Sequence, residues 1–224
     1  MTGFLDDPAL EALLERLHAR SEADAAATGD YFRARAAAGR TDFTAIDDAD
    51  HAHFADKLVA LDRDKAQFCH GLCRAIGARR IVEVGTSFGV STLYLAAAVR
   101  DAGGGLVVAT EQEAKKAAAA RANFAAAGLE RFIDLREGDL RLTLRRLAGP
   151  IDFALFDIWT EMARPALELI APALRPGAVV CADNTARARD GYRAWFEFVD
   201  DPANGFRTIT LPFEGGFEMT VKLG

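Results

Sequence analysis

The chain has 224 residues, half of them hydrophobic, with a formal net charge of −6 and a pI near 5.3. That length suits one α/β domain with some decoration and supplies enough apolar material for a substantial core. The acidic balance argues against a large basic footprint for nucleic acid, and no apolar run is long enough to span a bilayer. The opening MTGFLDDPALEALL is acidic and lacks the basic stretch of a signal peptide, so a cytoplasmic protein is expected. Cys69, Cys73 and Cys181 each lie in apolar surroundings and read as small buried hydrophobes rather than a disulfide or metal pair.

Residues 8–38 carry Ala, Leu, Glu and Arg at helical spacing, with Leu10, Leu13, Leu14 and Leu17 as the apolar stripe and Gly29 and Gly39 as punctuation. Residues 47–76 form a second helical region, broken near Leu61-Asp62. Asp64 is the expected cap of a helix from Ala66 to Ile76 that ends at Gly77. From there strands and helices alternate. RRIVEVG, LVVATE, FIDLREGD, IDFALFDIW and AVVCADN are strands. STLYLAAAV, AKKAAAARANFAAAG, LRLTLRRLAG, RPALELIAPAL and DGYRAWFEFVDD are the helices that follow them. FRTITLPF and FEMTVKL then flank EGG as a β-hairpin. The expectation is a Rossmann-like three-layer αβα sandwich. Its seven-stranded sheet is mostly parallel, with a terminal antiparallel hairpin and a helical N-terminal extension over residues 1–60 of the same domain.

The stretch IVEVGTSFGVST carries the most chemistry. A strand ending in Glu83 turns through Gly85-Thr86-Ser87-Phe88-Gly89 into a helix, at the strand end where open α/β sheets bind ligands. Gly85 lets the backbone approach a ligand, and Gly89 permits close packing as the helix begins. Ser91 lies where free helix N–H groups favour a carboxylate. The alternative is a tight turn with no ligand. Glu111, closing the next strand, favours a nucleoside, because a carboxylate there can accept both hydrogen bonds of a ribose diol. Asp139, after the third strand, is a candidate for an adenine amino group or simply a helix cap.

Asp157 ends the fourth strand, and Asp183 and Asn184 end the fifth. Two carboxylates and an amide suit a hard cation such as Mg²⁺ or Ca²⁺. Turn chemistry is the alternative, since Asp and Asn favour such loops. The four histidines, His18, His51, His53 and His70, form no ligand spacing with these carboxylates. No nucleophile elbow, Walker loop or CxxC pair is present.

At these residues the sequence resembles the class I S-adenosylmethionine-dependent methyltransferases, and within them the catechol and caffeoyl-CoA O-methyltransferases. The likeness runs from about Lys65 to the C-terminus through DKAQF, IVEVGTSFGVST, GDLRLTL, DFALFDIW, LELIAPALRPGAVVCADN and the hairpin. It makes residues 61–224 the methyltransferase domain. It implies that Glu83, Gly85, Ser87 and Ser91 line the methionine end of the cofactor. Glu111 would hold the ribose, Asp139 the adenine edge, and Ile158 would pack nearby. Trp159 would wall the substrate, and Asp157, Asp183 and Asn184 match the metal ligands, with Asp157 also close to the cofactor ammonium.

The chain departs from the family in one place. Active members carry a lysine general base three residues after the first metal aspartate, and here that residue is Thr160. A threonine hydroxyl is far too weak a base near neutral pH. Three readings stay open: the metal acidifies the acceptor unaided, His51 or His53 serves as base, or the metal site has degenerated and the acceptor differs. Glu214 in the hairpin turn is a candidate for the acid that orients a second catechol hydroxyl. The expected activity is methyl transfer to a hydroxyl of a small molecule, without nucleic-acid or membrane partners, in a protein that family analogy makes a homodimer. The rivals are a cofactor-binding protein without catalysis and a nicotinamide-dependent oxidoreductase, whose loop would prefer G-x-G-x-x-G.

Overall fold

The computed structural model describes residues 3–40 and 46–224. The parts of the N-terminal extension at 1–2 and 41–45 lie outside the described residues. Three helices open the chain: α1 (Pro8–Ala37), α2 (Asp48–Phe54) and α3 (Arg63–Ala75). Five β–α units follow. β1 (Arg80–Val84) leads into α4 (Val90–Asp101), β2 (Leu106–Glu111) into α5 (Ala114–Ala126), and β3 (Ile133–Glu137) into α6 (Leu140–Thr143). β4 (Ile151–Phe156) leads into α7 (Thr160–Ile170), and β5 (Leu174–Asp183) into α8 (Arg193–Asp200). The hairpin β6 (Phe206–Leu211) and β7 (Phe217–Lys222) closes the described chain.

Among the described residues the strands form one seven-stranded sheet in the order β3-β2-β1-β4-β5-β7-β6. β1 to β5 are parallel, and β7 runs antiparallel to both β5 and β6. Because strand side chains alternate between faces, each strand feeds two cores. Ile81, Val107, Phe153, Leu155 and Cys181 face one core with α1, α3, α4 and α5. Val82, Val84, Ala154, Phe156 and Val180 face the other with α7 and α8. This is the Rossmann-like sandwich that the alternating pattern implies. Leu10, Leu13, Leu14 and Leu17 of α1 belong to the first core, where the N-terminal helix packs against α4. No described helix is long and apolar enough to cross a membrane.

Several boundaries differ from expectation. α1 runs unbroken through Gly29, because burial of its leucine stripe outweighs the roughly 1 kcal/mol that one helical glycine costs. α3 starts at Arg63 with Asp62 in the N-cap position, so Asp64 sits in the first turn and is not the cap. α6 is only four residues long. α7 begins at Thr160, several residues before the proline that seemed to open it, and Pro165 lies inside it. Gly77 and Gly128 adopt positive φ just beyond α3 and α5, as terminating glycines do.

The strand order reverses direction around β1, whose neighbours are β2 and β4. A crevice opens at such a switch point beyond the carboxyl ends of the strands, and it is where ligands bind in this architecture.

Candidate functional site

The loop after β1 is tied to the strands on both sides. The Thr86 amide donates to the Thr110 carbonyl (3.0 Å), and the Asp157 amide donates to the Val84 carbonyl (3.0 Å). Gly85 has φ +95°, and a Cβ on it would lie 2.0 Å from the Asp157 carbonyl oxygen. Only glycine permits β1 and β4 to deliver their ends this close together. Gly89 (φ +83°) is similarly constrained, with its missing Cβ 2.3 Å from the Phe124 ring of α5.

Glu111 organises the loop. One carboxylate oxygen accepts from the Ser87 amide and the other from the Glu113 amide, each at 2.7 Å. Its remaining lone pairs stay available to a diol. Ser87 itself has φ 50°, an unusual conformation for a non-glycine residue. Glu83 is fully buried beneath the loop. Its Oε2 accepts from Thr86 Oγ1 at 2.8 Å and from Thr92 Oγ1. Burial pushes its carboxyl upward against these hydroxyl donors. Glu83 Oε1 and Ser87 Oγ are buried with no hydrogen-bond partner. Gly85, Ser87, Ser91 and Asp157 line one cleft, closed on the far side by Leu58 and Leu61. That far wall is held by α1: Asp24 and Ser21 accept from the Leu58 and Ala60 amides, each at 3.0 Å.

The second cluster lies at the ends of β4 and β5. Desolvation, then the nearby Asp183 and Glu83 carboxylates, hold the Asp157 carboxyl well above the usual range. Burial also raises Asp183, against the opposing pull of Lys65. Lys65 is the residue that sequence reasoning missed. Its side chain is 1% exposed, and Nζ lies 2.7 Å from both Asp183 Oδ1 and Asp62 Oδ2. Burial alone would lower its pKa, but the Asp183 and Asp62 carboxylates raise it. The other oxygen of Asp183 accepts from Asn184 Nδ2 at 2.8 Å. Asn184 has φ 58°, and its side-chain Oδ1 faces Gly215 in the hairpin turn. The expected trio is therefore brought together with a fourth, cationic member. Two carboxylates and an amide oxygen are the donor types a hard cation takes. As placed, however, both Asp183 oxygens are occupied, and no group of three or more His, Cys, Asp or Glu among the described residues could hold a metal ion. An amphipathic-helix reading sees Lys65 as a surface charge. A lysine i−4 from a core cysteine, on the apolar side of α3, was the available signal.

α2 covers Trp159. The Phe54 ring meets the Trp159 ring edge-on at 5.3 Å, and His51 meets it at 6.3 Å. His53 instead stacks on Tyr31 at 3.9 Å. Of the two histidines, only His51 is in ring contact with Trp159 among the described residues. Ile158 is partly buried against the α7–α8 core and lies beside Gly85. Thr160 opens α7 with its hydroxyl against Gly191. Asp139 caps α6 through the Arg141 amide (2.8 Å) and pairs with the Arg141 guanidinium. Its carboxylate is thus engaged as the cap that its sequence position also allowed. Glu214 is exposed and paired with Arg187 at 2.9 Å.

Residues 82–185 match the methyltransferase domain family, a segment that holds the glycine loop, Glu111 and the Asp157–Asp183 cluster. A catechol O-methyltransferase of Mycobacterium tuberculosis is 36% identical over 131 residues, covering 58% of this chain and 58% of that protein. The O-methyltransferase of Bacillus cereus, solved with S-adenosylhomocysteine, superposes with a TM-score of 0.66 at 28% identity, covering 73% of this chain and 82% of that one. Over this segment the chain is similar to methyltransferases, among them catechol and caffeoyl-CoA O-methyltransferases.

A structure of the Streptomyces achromogenes O-methyltransferase TomG with S-adenosylmethionine is a further relative, at 25% identity and TM-score 0.67, covering 78% of this chain and 86% of that one. The chain spans little more than half the length of the first curated relatives, 58% for the mycobacterial protein and 59% for its Niastella koreensis counterpart. The orphaned Glu83 Oε1 and Ser87 Oγ are polar groups that a bound ligand could satisfy.

Proposed function

We propose that the chain transfers a methyl group from S-adenosylmethionine to a hydroxyl oxygen of a small aromatic acceptor. The observation that carries this reading is the crevice at the ends of β1, β2 and β4. There Ser87, Glu111 and Asp157 stand together, and Ser87 Oγ and Glu83 Oε1 are buried without partners. Such orphans are uncommon and costly, and a ligand carrying an amine, a carboxylate and a diol supplies what they lack.

In this reading Glu83, Gly85, Ser87, Gly89 and Ser91 hold the methionine end, and Asp157 holds its ammonium. Glu111 takes the ribose hydroxyls. Ile158 packs near the adenine, and Asp139 reaches its edge only by releasing Arg141. The acceptor lies on the far side, against Trp159, with Phe54 and His51 above that ring. Thr160 occupies the helix start where the family places its base. The reaction is an in-line displacement at the sulfonium methyl, and the protein's contribution is alignment and exclusion of water. Asp157, Asp183 and Asn184 would hold a divalent ion such as Mg²⁺ or Ca²⁺, which when bound would fix and acidify the acceptor hydroxyl. Residues 61–224 would form the methyltransferase domain, with 1–60 as an extension that walls the cleft and a second copy completing a homodimer.

Calorimetry with S-adenosylhomocysteine tests the cofactor half of this reading. Micromolar or tighter binding is expected, with strong weakening in Glu111→Ala. Unchanged affinity in that variant would remove the ribose assignment.

A further inference from the structure

Lys65 is an unusual residue to find at a carboxylate cluster that a dication would share. It lies in the first turn of α3, its side chain is 1% exposed, and its ammonium sits 2.7 Å from Asp183 Oδ1. The same ammonium lies 2.7 Å from Asp62 Oδ2, whose side chain is 57% exposed and therefore partly solvated. α3 cannot slide away, because Ala66, Cys69 and Cys73 anchor it in the core. The lysine stem is thus fixed at its root and its head is fixed by two carboxylates. A charged side chain this deeply buried is rare unless paired.

The consequence is a matter of charge. Asp157 and Asp183 alone would present two negative charges to an incoming cation. The Lys65 ammonium bound to Asp183 sets a fixed positive charge against them, shared with the partly solvated Asp62. Both Asp183 oxygens already have a donor, Lys65 on one and Asn184 Nδ2 on the other. A dication must share Asp183 with a fixed positive charge and turn the Asn184 amide over. Affinity for hard cations is set by the charge count and rigidity of the oxygen ligands.

We propose that Lys65 is a built-in cation that tunes the Asp157–Asp183–Asn184 cluster to weak divalent binding. It acts through Asp183 as a positioning and charge-setting residue, and it does not touch the reacting atoms. The inference rests on the proposed reading of the cluster as the acceptor-side cation site. It makes the divalent requirement of this chain a property of α3 as much as of the strand ends.

The test is titration of the full chain with Mn²⁺, followed by calorimetry and by the paramagnetic resonance signal of the free ion. Wild type should bind weakly at a site abolished by Asp183→Asn. Lys65→Met should bind Mn²⁺ at least ~10-fold more tightly, because a buried like charge has been removed. Lys65→Gln, which keeps a neutral donor to Asp183, should show the same gain and serves if the methionine variant does not fold. Mn²⁺ affinity that stays equal or falls in the folded variants would overturn the proposal. So would tight wild-type binding that Lys65→Gln leaves unchanged. S-adenosylhomocysteine affinity, measured on the same samples, reports separately on the cofactor reading, so the two can fail independently.

Discussion

A Cβ on Gly85 would sit 2.0 Å from the carbonyl oxygen of Asp157. Because glycine carries none, the ends of β1 and β4 can meet, and Gly85 and Asp157 line one cleft.

Gly85→Ala should therefore damage both the fold and the site. The backbone strain at φ +95° adds to a clash with a fixed carbonyl, for a combined cost of about 2–4 kcal/mol. Chemical denaturation should show that loss, and binding of S-adenosylhomocysteine should fall with it. A variant with wild-type stability and affinity would mean that the strand ends separate easily.

Asp50 fixes α2 over Trp159. It accepts from Tyr31 (2.6 Å), Arg35 (3.2 Å), Arg40 (3.0 Å) and the Asp47 amide (3.1 Å). Burial would raise its pKa, but these donors outweigh burial and pull it from 3.8 to about 2. A depressed folded pKa stabilises the fold in full above 3.8, and that contribution is lost as pH falls toward 2. Asp50→Ala should cost about 3 kcal/mol at neutral pH, because it removes the carboxylate of a buried ion pair with Arg35. The stability gap between wild type and variant should close between pH ~4 and ~2. A gap that ignores pH would show that the carboxylate's charge is not what matters.

Thr160 stands where the family places a basic lysine. If its hydroxyl takes no proton in the reaction, Thr160→Val should keep kcat within about threefold, whereas loss of a general base costs about 100-fold or more. A large kcat loss with unchanged KM would give Thr160 a direct part in the chemistry.

The sheet was legible because strand and helix periods alternate cleanly from Arg80 onward, and the glycine loop was legible because Gly85 and Gly89 each answer a specific steric demand. Lys65 was not legible: its partner Asp183 is remote in sequence and adjacent only once α3 lies on β5. The contact between α2 and Trp159 was hidden for the same reason. Asp139 was legible as a helix cap from its place just ahead of α6. Pro165 misled the placement of α7, since proline favours helix starts but here follows a first turn opened at Thr160.

The proposed reaction is methyl transfer to oxygen. Incubation of the purified chain with methyl-labelled S-adenosylmethionine and a panel of hydroxylated aromatics, with product identification by mass spectrometry and NMR, tests it most directly. An O-methylated product should form in step with S-adenosylhomocysteine, and both should be lost in Glu111→Ala and Asp157→Ala. A protein that binds the cofactor yet transfers no methyl to any member of the panel, or methylates nitrogen or carbon instead, would contradict it.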